Sequence, residues 1–196
     1  MIRMDVTLLW TEITVWLAEH APATAAGLRR AVPPPDLDTL EEDFAVGLPS
    51  QLRQWWSCCG GADEDTLVEV FPPCYTPYGA AGAWRVWSGF RELWGDRWQR
   101  PACDYYAGSA GSSFHPAWIP IAGDGFSDEL VIDLRPGPLR GCVLAWEQET
   151  RRVGPPMWPD LATLLTDVHR ALTEGTSAGY SRATVTAEGR LDWQIR

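Results

Sequence analysis

Three short apolar runs, Trp118–Ala122, Leu130–Leu134 and Cys142–Glu147, are separated by GDGFSDE and by Arg135-Pro136-Gly137-Pro138. Runs this short, with turn chemistry between them, predict a β-meander. Asp-Gly accepts the positive φ of a tight reversal, and Pro-Gly-Pro cannot continue a ladder. Within the second run, period-2 alternation turns Asp133 away from Ile132 and Leu134 and onto the face of Val131. If that face is covered, Asp133 must be paired or hydrogen-bonded, because an isolated buried carboxylate is costly. Asp128 and Glu129 are expected to keep the intervening loop wet.

Helices are expected on both sides of the meander. Leu9, Ile13, Trp16 and Leu17 recur at helical spacing and predict an amphipathic helix from about Val6 to Glu19, stopped near Pro22. Ala23–Pro35 ends in three prolines and is expected to be irregular. Asp38 with Glu41 makes a capping-box start for a helix carrying Leu40, Phe44 and Leu48, broken by Gly47 and Pro49. A second short helix starts at Ser50, carries Leu52, Trp55 and Trp56, and is expected to end at Gly60-Gly61. Ala62–Asp65 reads as a polar loop, and Leu67–Phe71 as a short strand stopped by Pro72-Pro73. Trp84–Trp98 has helical spacing, and Arg100–Pro116 is loop-like. Pro159-Asp160 opens a helix with Leu161, Leu164, Leu165, Val168 and Leu172 on one face, ended by Gly175. Ala183–Ile195 is expected to close as a hairpin around Glu188-Gly189. This order predicts an α+β fold: a small, mainly antiparallel sheet (meander 117–147) packed against N-terminal and C-terminal helices. The expected organisation is one domain over residues 1–196, with 180–196 as a C-terminal hairpin extension.

The chain carries a formal net charge of −10, and all sixteen of its positive charges are arginine, with no lysine and no asparagine. Lysine and asparagine codons are AT-rich, so this points to a GC-rich, bacterial genome. The acidity argues against nucleic acid, which requires a basic face to displace counterions, and suits a basic protein partner. No run approaches the roughly 20 apolar residues of a membrane span, and the opening residues lack a signal-peptide pattern. A cytoplasmic protein with no membrane partner is therefore expected. The five cysteines, Cys58, Cys59, Cys74, Cys103 and Cys142, form no C-x-x-C, and His20, His115 and His169 are scattered. No metal or other cofactor is expected from such spacing, and the cysteines read as small apolar residues. Most of the twelve tryptophans should be core, with exposed ones available as interface anchors.

The acids of GDGFSDE do not form a recognised chemical motif. Asp124-Gly125-Phe126-Ser127-Asp128 puts glycine too early for an EF-hand calcium loop. Asp124 and Asp128 could reach the separation used in paired-acid catalysis, but so could any two acids in a hairpin loop. The chain has no G-x-S-x-G, H-E-x-x-H, P-loop or G-x-G-x-x-G, and no catalytic residue is assigned.

The same residues carry a resemblance. W-I-P-I-A-x-D-G at Trp118–Gly125, the strand ending V-I-D-L, then P-G-P and Gly141-x-Val143, resembles the SUKH superfamily. That is the family of the fungal Smi/Knr cell-wall-assembly regulators and many bacterial relatives. Trp10 to Pro22, Leu37 to Trp56 and Ala162 to Leu172 resemble its opening, second and closing helical segments, so the resemblance spans about residues 9–173. The Trp-rich segment 84–98 does not match. The resemblance implies a non-catalytic protein-binding module, with Trp118, Pro120, Gly125, Asp133 and Gly141 as structural motif positions. Many bacterial members resemble immunity proteins that bind and block a cognate toxin domain of a polymorphic toxin system. On that reading Asp63, Glu64 and Asp65 in one loop, and Asp124, Asp128 and Glu129 in another, are the candidate contacts with a basic toxin. A regulatory interaction hub like the fungal relatives is the alternative, and a hydrolase using Asp124, Asp128 and His115 a remote one.

Overall fold

A computed structural model describes residues 5–31, 37–63, 66, 68–95, 106–111 and 113–195. Helix α1 (Val6–His20) begins where the Asp5 side chain accepts from Thr7 N, and buries Val6, Leu9, Trp10, Ile13 and Leu17. Proline stops α1 by starting another element: α2 (Pro22–Ala26) has Pro22 in its first turn, where the missing N–H costs nothing. Strand β1 (Leu28–Arg30) follows, so the segment expected to be irregular is ordered at its start.

In α3 (Leu37–Phe44) Asp38 lies inside the first turn, not at a cap, and pairs with Arg53 of α4 (Ser50–Cys58). The glycines expected to end α4 instead form strand β2 (Cys59–Ala62), antiparallel to β1. Their role is close approach. A Cβ on Gly60 would collide with the Arg30 carbonyl, and one on Gly61 would stand 2.6 Å from Gly79 N. Val68–Val70 form no strand, and Phe71 makes an isolated bridge to Tyr75 across the Pro72-Pro73 turn. The reversal comes too soon for a longer ladder; Leu67 lies outside the described residues. Strand β3 (Thr76–Pro77) leads into α5 (Ala80–Trp94), which starts four residues before the expected Trp84. Trp98 lies outside the described residues.

The meander forms as expected: β4 (Trp118–Gly123), β5 (Glu129–Asp133), β6 (Val143–Glu147) and β7 (Arg152–Val153). Among the described residues the antiparallel order is β3-β4-β5-β6-β7. Pro120 has no N–H for the ladder, and the register shifts between Pro120 and Ala122. Every residue of β4 and β5 is buried, so both faces are covered and alternation is lost. Trp118, Phe114 and Trp146 meet edge-on or tilted with 5.7 Å between ring centroids.

Helix α6 (Leu161–Glu174) packs against α1. Asp160 Oδ1 accepts from Thr163 N at 2.9 Å and Thr163 Oγ1 at 2.8 Å. Asp160→Ala removes this cap and is expected to cost about 1 kcal/mol, read as a lower thermal midpoint; an unchanged midpoint would show the cap to be idle. The chain closes with β8 (Ser177–Ala178), β9 (Ser181–Val185) and β10 (Leu191–Ile195), in the order β10-β9-β8. This hairpin is tied back to α2: Ala23 N donates to Gly189 O at 2.9 Å, and Leu191 N to Thr24 Oγ1 at 2.7 Å. Cys59 and Cys142 are buried and Cys58 and Cys74 half-buried. Burial pushes the Cys58 and Cys142 thiols up to about 11. Among the described residues no helix is long and apolar enough to cross a membrane.

Candidate functional site

The β4–β5 loop is held rigid by its own acids. Asp124 Oδ1 accepts from Phe126 N at 2.7 Å and from Asp128 N at 3.0 Å, and Asp124 N donates to Asp128 O at 3.1 Å. Asp128 Oδ1 in turn accepts from Gln148 N at 2.9 Å, fastening the loop to the start of the β6–β7 turn. Gly125 takes φ +81°, where glycine is at ease, and Ser127 takes φ +98°, where a side chain is not. The result places Phe126 at the tip with 83% of its surface exposed. Asp124 and Asp128 are half-buried beside it.

Glu129 requires a correction. It was expected in the wet loop and as a partner contact, yet it is the first residue of β5 and only 4% exposed. Pairing with Gly123 on one side and Trp146 on the other draws it into the sheet. The expectation for Asp133 holds. It is fully buried and paired with Arg135, with an Nη2–Oδ2 distance of 2.7 Å. Its Oδ2 also accepts from Gly108 N at 2.9 Å. Gly141 closes the turn before β6 and donates its N–H to Asp133 O at 2.7 Å. Trp118, Asp133 and Gly141 thus share ring, ion-pair and backbone contacts at one end of the sheet, Pro120 marks the register shift in β4, and Gly125 takes the positive φ at the tip.

Beside the hairpin lies an open cleft of about 390 Å³, whose lining includes Arg29, Trp56, Tyr78, Arg85, Asp63 and Gly125. Asp63 lines it from the end of β2 and Gly125 from the hairpin loop, while the Asp124 and Asp128 carboxylates do not. Asp63 is already paired, with Arg29 Nε 2.6 Å from Oδ1. Glu64 and Asp65 lie outside the described residues. His115 sits at the opposite end of β4 from Asp124. It packs against Trp118 at 6.0 Å and accepts from Ala117 N through Nδ1. Burial, and then the nearby Arg135, hold its pKa down at about 4. The structure therefore does not unite His115 with the hairpin acids. Among the described residues no three His, Cys, Asp or Glu side chains gather as a metal-binding group.

Sequence reasoning missed Phe126, Tyr78 and Arg135. Phe126 had a signal, an aromatic residue inside a polar turn. Arg135 had none, since it opens a stretch read as a turn.

Residues 32–167, more than two thirds of the chain, match the model of the SMI1 / KNR4 family (SUKH-1). The match lies inside the 9–173 range of the sequence resemblance and leaves α1, the end of α6 and the C-terminal hairpin outside it. A search of the curated proteins found no match. With its α+β architecture and a family match over residues 32–167, the chain belongs to the SMI1 / KNR4 family (SUKH-1).

Proposed function

We propose that the protein is a non-catalytic immunity protein that binds and neutralises a cognate toxin domain in the cytoplasm, acting as one domain. Family membership supports the class, since SUKH proteins are generally non-catalytic immunity or regulatory proteins. The observation that carries the reading is the hairpin tip. A large apolar side chain stands in solvent on a loop locked by four hydrogen bonds and flanked by two carboxylates. A rigid aromatic residue loses little entropy on docking and makes a good anchor. On a chain of net charge −10, its partner is a cationic surface with an apolar recess, steered in by charge. Phe126, Asp124 and Asp128 form the centre of the contact, with Asp63 across the cleft at its edge.

The test is co-purification with the products of neighbouring genes, followed by calorimetry at two salt concentrations. Phe126→Ala is expected to weaken binding by about 30-fold, the scale of an anchor residue. Asp124→Asn with Asp128→Asn keeps the acceptor oxygens that shape the loop and removes the charge, so the salt dependence of affinity should flatten. Unchanged affinity and salt slope would remove this surface from the contact. Neutralisation of a toxin-like partner supports immunity; capture of several unrelated host proteins instead favours a regulatory hub.

A further inference from the structure

Glu129 and Asp133 stand at the two ends of β5, both buried, and differ in one respect. Asp133 has Arg135 beside it. Glu129 pairs with no arginine among the described residues, and its Oε2 accepts no hydrogen bond of good geometry from them. Around it lie the Tyr78 hydroxyl from the β3–α5 link, the Asp124 and Asp128 carboxylates from the loop, and Tyr75 from before β3. Trp146 faces it from β6, and Arg85 of α5 acts on Tyr78. A carboxylate in such a place is disfavoured by desolvation and by the Asp124 and Asp128 charges, against which the Tyr78 hydroxyl acts in its favour.

Tyr78 is the junction of this region. Its N–H donates to Ile121 O of β4 at 2.8 Å, and it bridges Gly61 of β2. The next residue, Gly79, caps α5 and packs against Gly60. The Tyr78 hydroxyl and Glu129 Oε2 both lie over Gly123, where a Cβ would collide with the first and stand 2.7 Å from the second. The same Tyr78 and Gly123 line the glycine cleft.

We propose that Glu129 is a proton-dependent fastener: as a neutral acid it lets the junction of β5, Gly123 and Tyr78 close without water, and on losing its proton it draws water into this junction and opens the cleft. An ionised Glu129 keeps the Tyr78 hydroxyl as a favourable neighbour and regains the rest of its solvation by admitting water, a change that acts on β2, β4 and the start of α5 together. Burial, then Asp124 and Asp128, raise its pKa well above the ordinary carboxylate value, while Tyr78 lowers it. A folded-state pKa raised above the unfolded one means that the stabilisation is complete below the ordinary carboxylate range. It is lost as pH rises through the folded-state value. The inference concerns the isolated chain and does not depend on the proposed partner.

The experiment follows the Glu129 carboxyl by carbon-13 NMR on the full chain, with amide hydrogen exchange recorded over about pH 5 to 9, a window above the ordinary carboxylate range. Glu129 is expected to titrate well above that range. Through its midpoint, the amides of Tyr78–Ala83 and Ile121–Glu129 should exchange about tenfold faster than base catalysis alone predicts, as for a one-unit linked shift, with α6 unchanged. Glu129→Gln, neutral at every pH, removes that step. Titration in the ordinary range, or a high midpoint without the exchange step, overturns the proposal. So does a step that survives in Glu129→Gln. Should that variant not fold, Tyr78→Phe serves in its place. Without the hydroxyl that favours the carboxylate, the midpoint and the step must move upward together; an unmoved step overturns the proposal as well.

Discussion

Asp133→Asn is expected to lower the unfolding free energy by about 3–5 kcal/mol, the cost of stranding one member of a buried ion pair, read as a fall in urea midpoint at unchanged slope. The size follows from what the carboxylate holds. Arg135 Nε lies 3.0 Å from Oδ1 and Nη2 2.7 Å from Oδ2, and both side chains are fully shielded from solvent. Oδ1 also accepts from Arg135 N at 3.0 Å and Oδ2 from Gly108 N at 2.9 Å. The guanidinium donates to Ser109 O at 2.8 Å and lies 5.1 Å from the Trp118 ring centre. Asparagine would keep one acceptor but turn an amide NH₂ toward donors, leaving a buried charge without its partner. The half-exposed Arg29–Asp63 pair should contribute no more than about 1 kcal/mol when broken, because water screens it. A double replacement, Asp133→Leu with Arg135→Met, tests the assignment. Removing both charges should recover most of the loss. A single variant within about 1 kcal/mol of the parent, the scale of a surface pair, would show that Arg135 finds other compensation.

These two residues mark how far sequence reading reaches. Alternation put Asp133 on the face of Val131 and required a partner if that face was covered; both faces of β5 are covered, and the partner exists. It could not name Arg135, because Arg135-Pro136-Gly137-Pro138 has the chemistry of a solvated turn, and the contacts of the Asp133–Arg135 pair with Gly108, Ser109 and Trp118 come from other segments. Glu129 failed for the opposite reason. Its place beside Asp128 and after a glycine turn reads as loop, and burial comes from cross-strand neighbours on β4 and β6 that local pattern does not contain. Gly60-Gly61 has the signature of a helix stop, but those glycines serve a backbone contact with Arg30 and Gly79 from distant segments. Helices α1 and α6 were legible because 3.6-residue periodicity and caps are local properties. At the candidate site, the turn-forming role of Asp124 was legible from Asp-Gly, whereas the cleft joining Asp63 to the hairpin depends on β2 meeting β3.

The high tryptophan count finds its use in the other half of the core, and Trp55→Ala measures it. Trp55 is fully buried on α4. It meets Trp10 of α1 edge-on at 4.8 Å and Phe71 at 5.8 Å. Deleting the indole removes its transfer energy and leaves a cavity that two helices and the Phe71 turn cannot close without moving. The expected cost is about 3–5 kcal/mol, a drop in thermal midpoint of about 10 °C for a chain of this size. Trp55→Phe separates packing from polarity. Trp55 Nε1 has no hydrogen-bond partner among the described residues, so phenylalanine forfeits volume but no hydrogen bond, and should cost only about 1–2 kcal/mol. Trp84 supplies the contrast. It is 40% exposed on α5, and its Nε1 donates to Asp43 Oδ2 at 3.0 Å. Trp84→Ala should cost about 1 kcal/mol, because water replaces most of what is lost. Equal losses at Trp55 and Trp84 would mean that the α1–α4 aromatic cluster is not where this fold keeps its stability. Unequal losses in the stated order would place it there, away from the hairpin that the proposed binding role requires to be free.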